Sequence, residues 1–159
     1  LYAVGDVNGR ALLTHQGKYQ ARLVGDLLGG KDRRDVADDR AITRVIFTDP
    51  QVAAVGPTEQ QARERGLDVK AISVEMTSVA GGSLLGRGVS GRMQILIDQD
   101  RRVIVGATFV GPEVVAEMLH AATIAVVGQV PIDELWHAVP AFPTVSETWL
   151  RLLEADRGI

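Results

Sequence analysis

The sequence contains no cysteine. A disulfide framework, a thiolate metal site and a cysteine nucleophile are therefore excluded within it, and a redox-active thiol pair is expected only upstream of Leu1. It also lacks a charge excess of one sign: 17 Lys and Arg stand against 20 Asp and Glu, and the basic residues are scattered. Neither nucleic acid nor an anionic membrane is an expected partner. No apolar run reaches eighteen residues and no signal peptide is present, which predicts a soluble, cytoplasmic protein. No pair of histidines or carboxylates has metal-ligand spacing, the acids from Asp32 to Asp39 being diluted by arginine, so no metal is expected.

What is present begins with LYAVGDVNGRALLTH. A short apolar run, Leu1 to Val4, stops at Gly5-Asp6, crosses a loop through Asn8 and Gly9, and enters a helix near Leu12: a strand, a turn and a helix. An acid at a strand's carboxyl end, facing a helix amino terminus, suits ligand binding. The acid accepts hydroxyl protons while free N–H groups meet oxygens, which makes Asp6 the first candidate residue. The helix is expected to run to Leu28, with Leu13, Gly17, Ala21, Val24 and Leu28 on one face and Gly29-Gly30 as its stop. From Lys31 to Arg40 mixed charges predominate. That reads as a solvated linker and divides the chain into residues 1–40 and 41–159. An opening inside an apolar run without methionine predicts a part of a longer protein; the alternative is an amino-terminal edge strand of a complete domain.

Beyond the boundary the periodicity is that of strands. Ala41 to Thr48 and Gln51 to Gly56 flank Asp49-Pro50, where proline presets φ for a tight turn. Thr58 and Gln61 have capping-box spacing for a helix from Glu59 to Arg65, ended by Gly66. Asp68 to Glu75 is a third strand. Met76 to Ser90 reads as a flexible surface loop; its glycines and Arg87 imitate a phosphate cradle but lack the following helix. Gly91 to Asp98 and Arg102 to Phe109 form a hairpin, and Glu113 to Val127 a helix whose Ala121, Ala122 and Ala125 leave room for another helix. A helical turn follows from Pro131 to Leu135. Pro140 and Pro143 then force an extended path, with cis geometry plausible at Phe142-Pro143, and Thr144 and Glu147 have capping-box spacing for a terminal helix.

Three stretches together resemble the pyridine nucleotide-disulfide oxidoreductases, the family of glutathione reductase, dihydrolipoamide dehydrogenase and mercuric reductase. They are Tyr2-Ala3-Val4-Gly5-Asp6 with Ala11-Leu12-Leu13-Thr14, then FTDPQVAAVGPTEQQARERG, then Phe142-Pro143-Thr144-Val145-Ser146-Glu147. The resemblance implies an α+β fold: an antiparallel sheet flanked by helices, the dimerisation domain, preceded by a strand-helix remnant of an FAD-binding domain. It implies that Gly5 and Asp6 meet the ribityl chain of FAD, that the helix start at Leu13, Thr14 and His15 meets the flavin pyrimidine edge, and that NAD(P)H serves the parent enzyme through upstream domains. It further implies a homodimer in which the terminal segment crosses to the partner's flavin.

There the family carries a His that exchanges protons with the cysteine pair and a Glu that orients it. Here Glu147 is kept and Phe142 replaces the His. Phenylalanine transfers no proton, so the thiol chemistry does not carry over unchanged. His137 is a weak substitute, being five residues away across prolines. A parent enzyme that reduces a non-disulfide acceptor such as a quinone, with Phe142 lining an apolar pocket, is the better expectation, and the chain alone is expected to be inactive. Two alternatives are a free-standing protein-interaction domain without flavin, and a small-ligand sensor built from Asp6 and the Gly81 to Gly88 loop.

Overall fold

Five antiparallel strands form one open sheet in the computed structural model, which describes residues 1–159. β1 (Thr43–Ile46) and β2 (Gln51–Val55) form the expected hairpin, and its turn holds a cis Asp49-Pro50 bond. β3 (Val69–Glu75), β4 (Arg92–Asp98) and β5 (Val103–Gly111) form a meander. β5 then pairs with β2, giving the order β1-β2-β5-β4-β3.

The alternation of the central strands decides which face is covered. Met93 lies opposite Phe109 and Phe109 opposite Ala53, while Ile95 lies opposite Ala107 and Ala107 opposite Val55, so all six share one face and all are buried. The fifteen-residue helix α5 (Val114–Gly128) covers that face with Val115, Met118, Leu119, Ala122, Ala125 and Val126. Ala122 and Ala125 thus face the sheet, and only Ala121 of the small residues looks outward. β4 alternates without a break, and the register shift at Leu96/Ile97 skips Val105 of β5, a bulge that puts Ile104 on the same face as Ala107 and Phe109. Ile97 joins the main core, while Leu96 joins Ala62, Val69, Val103 and Val105 under α3 (Glu59–Glu64). The expected Thr58–Gln61 capping box starts α3. α7 (Thr148–Arg157) closes the core with Leu152 and Leu153, and Trp149 sets its ring edge-on to Phe109 at 6.2 Å between centroids.

Ahead of the sheet lie α1 (Thr14–Leu28) and the one-turn α2 (Ala37–Arg40). Val4 is extended at φ −128°, ψ 138°, but Leu1 to Val4 pair with no neighbour, so the expected first strand has no sheet to join. The Met76 to Ser90 stretch is more ordered than a flexible loop. It contains a 3-10 turn (Met76–Ser78) and the helical turn α4 (Ala80–Ser83), with Met76, Val79, Gly81 and Gly82 buried. α6 (Ile132–Leu135) is the expected short turn before α7. No helix is long and apolar enough to cross a membrane.

Two buried carboxylates lock these layers. Asp98 accepts the N–H groups of Asp100 and Arg101 and the Arg101 guanidinium, fixing the β4–β5 turn. Asp156 accepts from Lys70 on β3 and from Arg102 beside β5, holding the end of α7 against the sheet. Burial acts to raise both pKa values, but the hydrogen bonds and charge of Arg101 with the Asp100 N–H bond at Asp98, and the hydrogen bonds and charges of Arg102 and Lys70 at Asp156, outweigh it and hold both carboxyls below their usual range. A group with a depressed folded pKa contributes stability above its unfolded value, near 3.9 for Asp, and loses it as pH falls through the folded value. Urea unfolding is expected to show stability nearly flat above about pH 5 and falling steeply below about pH 4. A flat profile down to pH 2 would mean that neither carboxylate is held as described.

Candidate functional site

The start of α1 is the best-formed ligand-facing feature of the amino-terminal part. Leu13 is extended, φ −139°, and no side chain caps the helix, so the N–H groups of Thr14 and His15 have no acceptor in the chain. They border a cleft of about 410 Å³ whose walls include Leu12, Phe47 on the β1–β2 connection, and Ala116 and His120 of α5. The His15 Nε2 lies 2.8 Å from the Thr43 carbonyl oxygen, which only accepts, so Nε2 carries the proton.

Asp6 sits on a 3-10 turn, Gly5–Asn8, with its side chain exposed and accepting no hydrogen bond within the chain. Gly5 adopts φ +76°, and the backbones of turn and helix nearly touch there: a Cβ on Gly17 would lie 3.2 Å from the Gly5 Cα. The turn is held from α1. The Gln20 side-chain oxygen accepts the Gly5 N–H at 2.8 Å and the Asn8 side-chain N–H at 2.8 Å. Gln20 Nε2 donates to Asp38 Oδ2 at 2.7 Å, and Gln16 Nε2 donates to Asp38 Oδ1. Arg10 lies against Asp35 and Asp38 from the open side.

The stretch expected to be a solvated linker therefore sends one carboxylate inward. The Asp38 side chain is 4% exposed, and Gln16 and Gln20 are as deeply buried. Burial acts to raise the Asp38 pKa, but hydrogen bonds from Gln16, Gln20 and Arg10 outweigh it and keep the carboxyl below the usual range. Asp35 is pushed the other way, first by burial and then by the neighbouring Asp38 charge. Sequence reasoning missed this network, although a signal existed. Gln16 and Gln20, four apart, sit within the stripe otherwise read as an apolar face, where a polar residue needs a partner.

The carboxy-terminal segment is anchored by a different contact. Thr144 N–H and Gly81 N–H both donate to Glu147 Oε2, at 3.2 and 3.4 Å. The Thr144 hydroxyl donates to the Ala141 carbonyl at 2.6 Å, and a 3-10 turn (Val145–Glu147) leads into α7. Glu147 thus binds backbone and orients no imidazole. Gly81 is buried with its Cα against the Thr144 carbonyl, where an added Cβ would lie 1.9 Å from the carbonyl carbon. The Phe142-Pro143 bond is cis, as the sequence allowed, and the Phe142 side chain stands out at 77% exposure. His137 is exposed and its side chain makes no hydrogen bond to Glu147 or to any other group.

The residues singled out from sequence fall into two separate places. Gly5, Asp6, Leu13, Thr14 and His15 gather around the α1 start, and Phe142 and Glu147 lie at α4 and the foot of α7. No hydrogen bond joins the two sets, and neither Phe142 nor Glu147 lines the cleft at the α1 start. The sensor site built from Asp6 and the Gly81 to Gly88 loop does not form: Gly81 and Gly82 face the protein's own backbone, and Asp6 lines no cleft with them. No group of three or more His, Asp or Glu side chains is gathered in a way that would hold a metal ion.

Comparison with known proteins matches this arrangement to one family. Residues 42–153 match the family model described as pyridine nucleotide-disulphide oxidoreductase, dimerisation domain. The chain is 34% identical over 147 residues to a dihydrolipoyl dehydrogenase of Mycobacterium bovis, covering 92% of the chain and 31% of the relative. It is 31% identical over 159 residues to a dihydrolipoyl dehydrogenase of Bacillus subtilis, covering 100% of the chain and 34% of the relative. Among solved structures it superposes on LpdA from Mycobacterium tuberculosis with a TM-score of 0.84 at 21% identity, covering 97% of this chain and 33% of that one. It superposes on the HOCl-induced flavoprotein disulfide reductase RclA from Escherichia coli with a TM-score of 0.82 at 24% identity, covering 96% and 35%. The chain spans about one third of the length of the relatives it matches.

Proposed function

The chain belongs to the pyridine nucleotide-disulphide oxidoreductase family through that family's dimerisation domain, and from this we propose that it pairs two subunits of an FAD- and NAD(P)H-dependent oxidoreductase and completes the partner's flavin site. The observation that carries the proposal is the outward face of α5. That helix is apolar toward the sheet, and beyond the exposed Glu117 and His120 its second half is apolar again toward solvent, where Ala121, Ile124 and Val127 are exposed, Ile124 at 58%. A helix apolar on both sides is one that a second surface covers. Val139 and Phe142 add exposed apolar side chains on the segment that follows α6.

The residues at the α1 start fit a flavin. The unpaired N–H groups of Thr14 and His15 suit the oxygens of the ring's pyrimidine edge, and the free Asp6 carboxylate beside Gly5 suits ribityl hydroxyls. When bound, the flavin would carry electrons from the nicotinamide to the acceptor. The chain's own part is to hold it from one side and to present Phe142 to the partner. Phe142 offers bulk and no proton, and Glu147 is occupied by two backbone N–H groups, so neither supplies acid-base chemistry to a thiol pair. His137 has no neighbour that would orient it. The separation of the two residue sets within one chain supports their meeting only across a dimer. We assign the parent a non-disulfide acceptor, such as a quinone, and a cytoplasmic setting. A free-standing interaction domain without flavin is not favoured, since it leaves the Asp6 turn and the α1 start without a purpose.

Sedimentation of the chain across concentration tests the pairing. The mass of two chains is expected to persist at about 1–10 µM, the range in which a standard-sized apolar interface holds. Replacing Ile124 with Lys is expected to shift the mass toward one chain while the circular dichroism spectrum stays unchanged. A monomer at every concentration would overturn the α5 interface.

A further inference from the structure

We infer that Gln20 and Asp38 are positioning residues for the Asp6 turn: the Asp38 carboxylate fixes which way the Gln20 amide points, and the Gln20 oxygen in turn holds Gly5 and Asn8 at the distance from α1 that flavin binding needs. The inference rests on the flavin reading of Asp6 given above. A carboxylate accepts hydrogen bonds and donates none, so each glutamine must turn its NH2 toward Asp38. For Gln20 this leaves Oε1 facing the turn, where it takes the Gly5 N–H and the Asn8 amide, one at each end of the four-residue turn. Gln16 occupies the second oxygen of Asp38, so the carboxylate has no freedom to rotate away.

The three side chains are nearly sealed from water, at 3% for Gln16, 6% for Gln20 and 4% for the Asp38 side chain, so solvent does not substitute for a lost partner. The Gly5–Gly17 backbone approach sets the spacing of turn and helix, and the Gln20 clamp sets their rotation. The two groups aligned in this way are the Asp6 carboxylate and the open N–H groups of α1. Asp38, on α2 in the charged stretch before β1, thereby ties the entry of the dimerisation domain to the geometry of the flavin contact.

Polarity exchange tests this. In the full-length protein stripped of FAD, Asp38→Asn is expected to speed amide exchange at Gly5 about tenfold, because an amide in place of the carboxylate lets Gln20 flip and removes the Gly5 acceptor. FAD binding by the same variant is expected to weaken about tenfold. Adding Gln20→Glu to Asp38→Asn moves the carboxylate one partner along the chain of hydrogen bonds, and is expected to restore both readouts. Unchanged Gly5 exchange in Asp38→Asn would overturn the clamp. Faster exchange with unchanged FAD affinity, where Asp6→Asn does weaken FAD, would overturn the positioning role. If Asp6→Asn leaves FAD affinity unchanged, the flavin reading falls and Gly5 exchange alone decides the clamp. Should Asp38→Asn not fold, Gln20→Met removes the acceptor without adding charge and is read by the same measurements.

Discussion

Replacing Gly81 with alanine is expected to cost about 3 kcal/mol or more, a large share of the stability of a domain this size. The added methyl would lie 1.9 Å from the Thr144 carbonyl carbon and 2.4 Å from the Val145 nitrogen, both backbone atoms with no rotamer by which to withdraw. Either α4 or the segment after Pro143 must move, and each move breaks the Gly81 N–H contact to Glu147. Gly25→Ala is the internal control. That glycine lies in the last turn of α1 with nothing within 4 Å of its would-be Cβ, so the same methyl group is expected to stabilise by roughly 0.5–1 kcal/mol through helix propensity. Urea unfolding of the two variants should therefore shift in opposite directions. A Gly81→Ala variant as stable as the parent would show that α4 does not seat the terminal segment.

Phe109→Ala is expected to cost about 3–5 kcal/mol and to lower the melting temperature by roughly 10 °C. Phe109 is fully buried, is flanked on its face by Met93 and Ala53, and is met edge-on by Trp149. Truncation leaves a cavity under α7 as well as lost apolar burial, because backbone pairing to β2 and β4 prevents β5 from collapsing into the gap. Near-ultraviolet circular dichroism should lose Trp149 signal before the far-ultraviolet spectrum changes. A cost under about 1 kcal/mol would mean that Trp149 swings in to fill the space.

The parts of the fold legible in the sequence are those whose causes lie close together in it. The β4–β5 hairpin announces itself by alternation on both sides of Asp98 to Arg101, and α3 by a Thr58 and Gln61 whose mutual hydrogen bonds span three residues. α5 was readable to within a residue or two at each end, because Gly111-Pro112 and Gly128 bound one apolar run. What stayed hidden depends on partners far along the chain. Asp38 looks like one more surface charge until Gln16 and Gln20, some twenty residues earlier, are brought against it. Gly81 looks like part of a mobile glycine loop until Thr144 is laid on its Cα. Leu1 to Val4 show the converse, since they have the composition of a strand, and Val4 its dihedral angles, but no neighbour to pair with. Of the candidate site, the Asp6 turn was singled out by its place between strand and helix and the FPTVSE segment by family resemblance, whereas the contacts that hold each in place came only from the structure.

The seat made by Gly81 and Glu147 also bears on entropy. Fixing a residue's backbone costs about 1–2 kcal/mol at room temperature, and a mobile loop meets that cost at the moment it docks. Here the stretch from Thr144 to Glu147 is ordered by two backbone contacts to a single carboxylate as the chain folds. The exposed ring of Phe142 stands on a base that is already rigid, and a surface that receives it needs to immobilise little more than the ring itself.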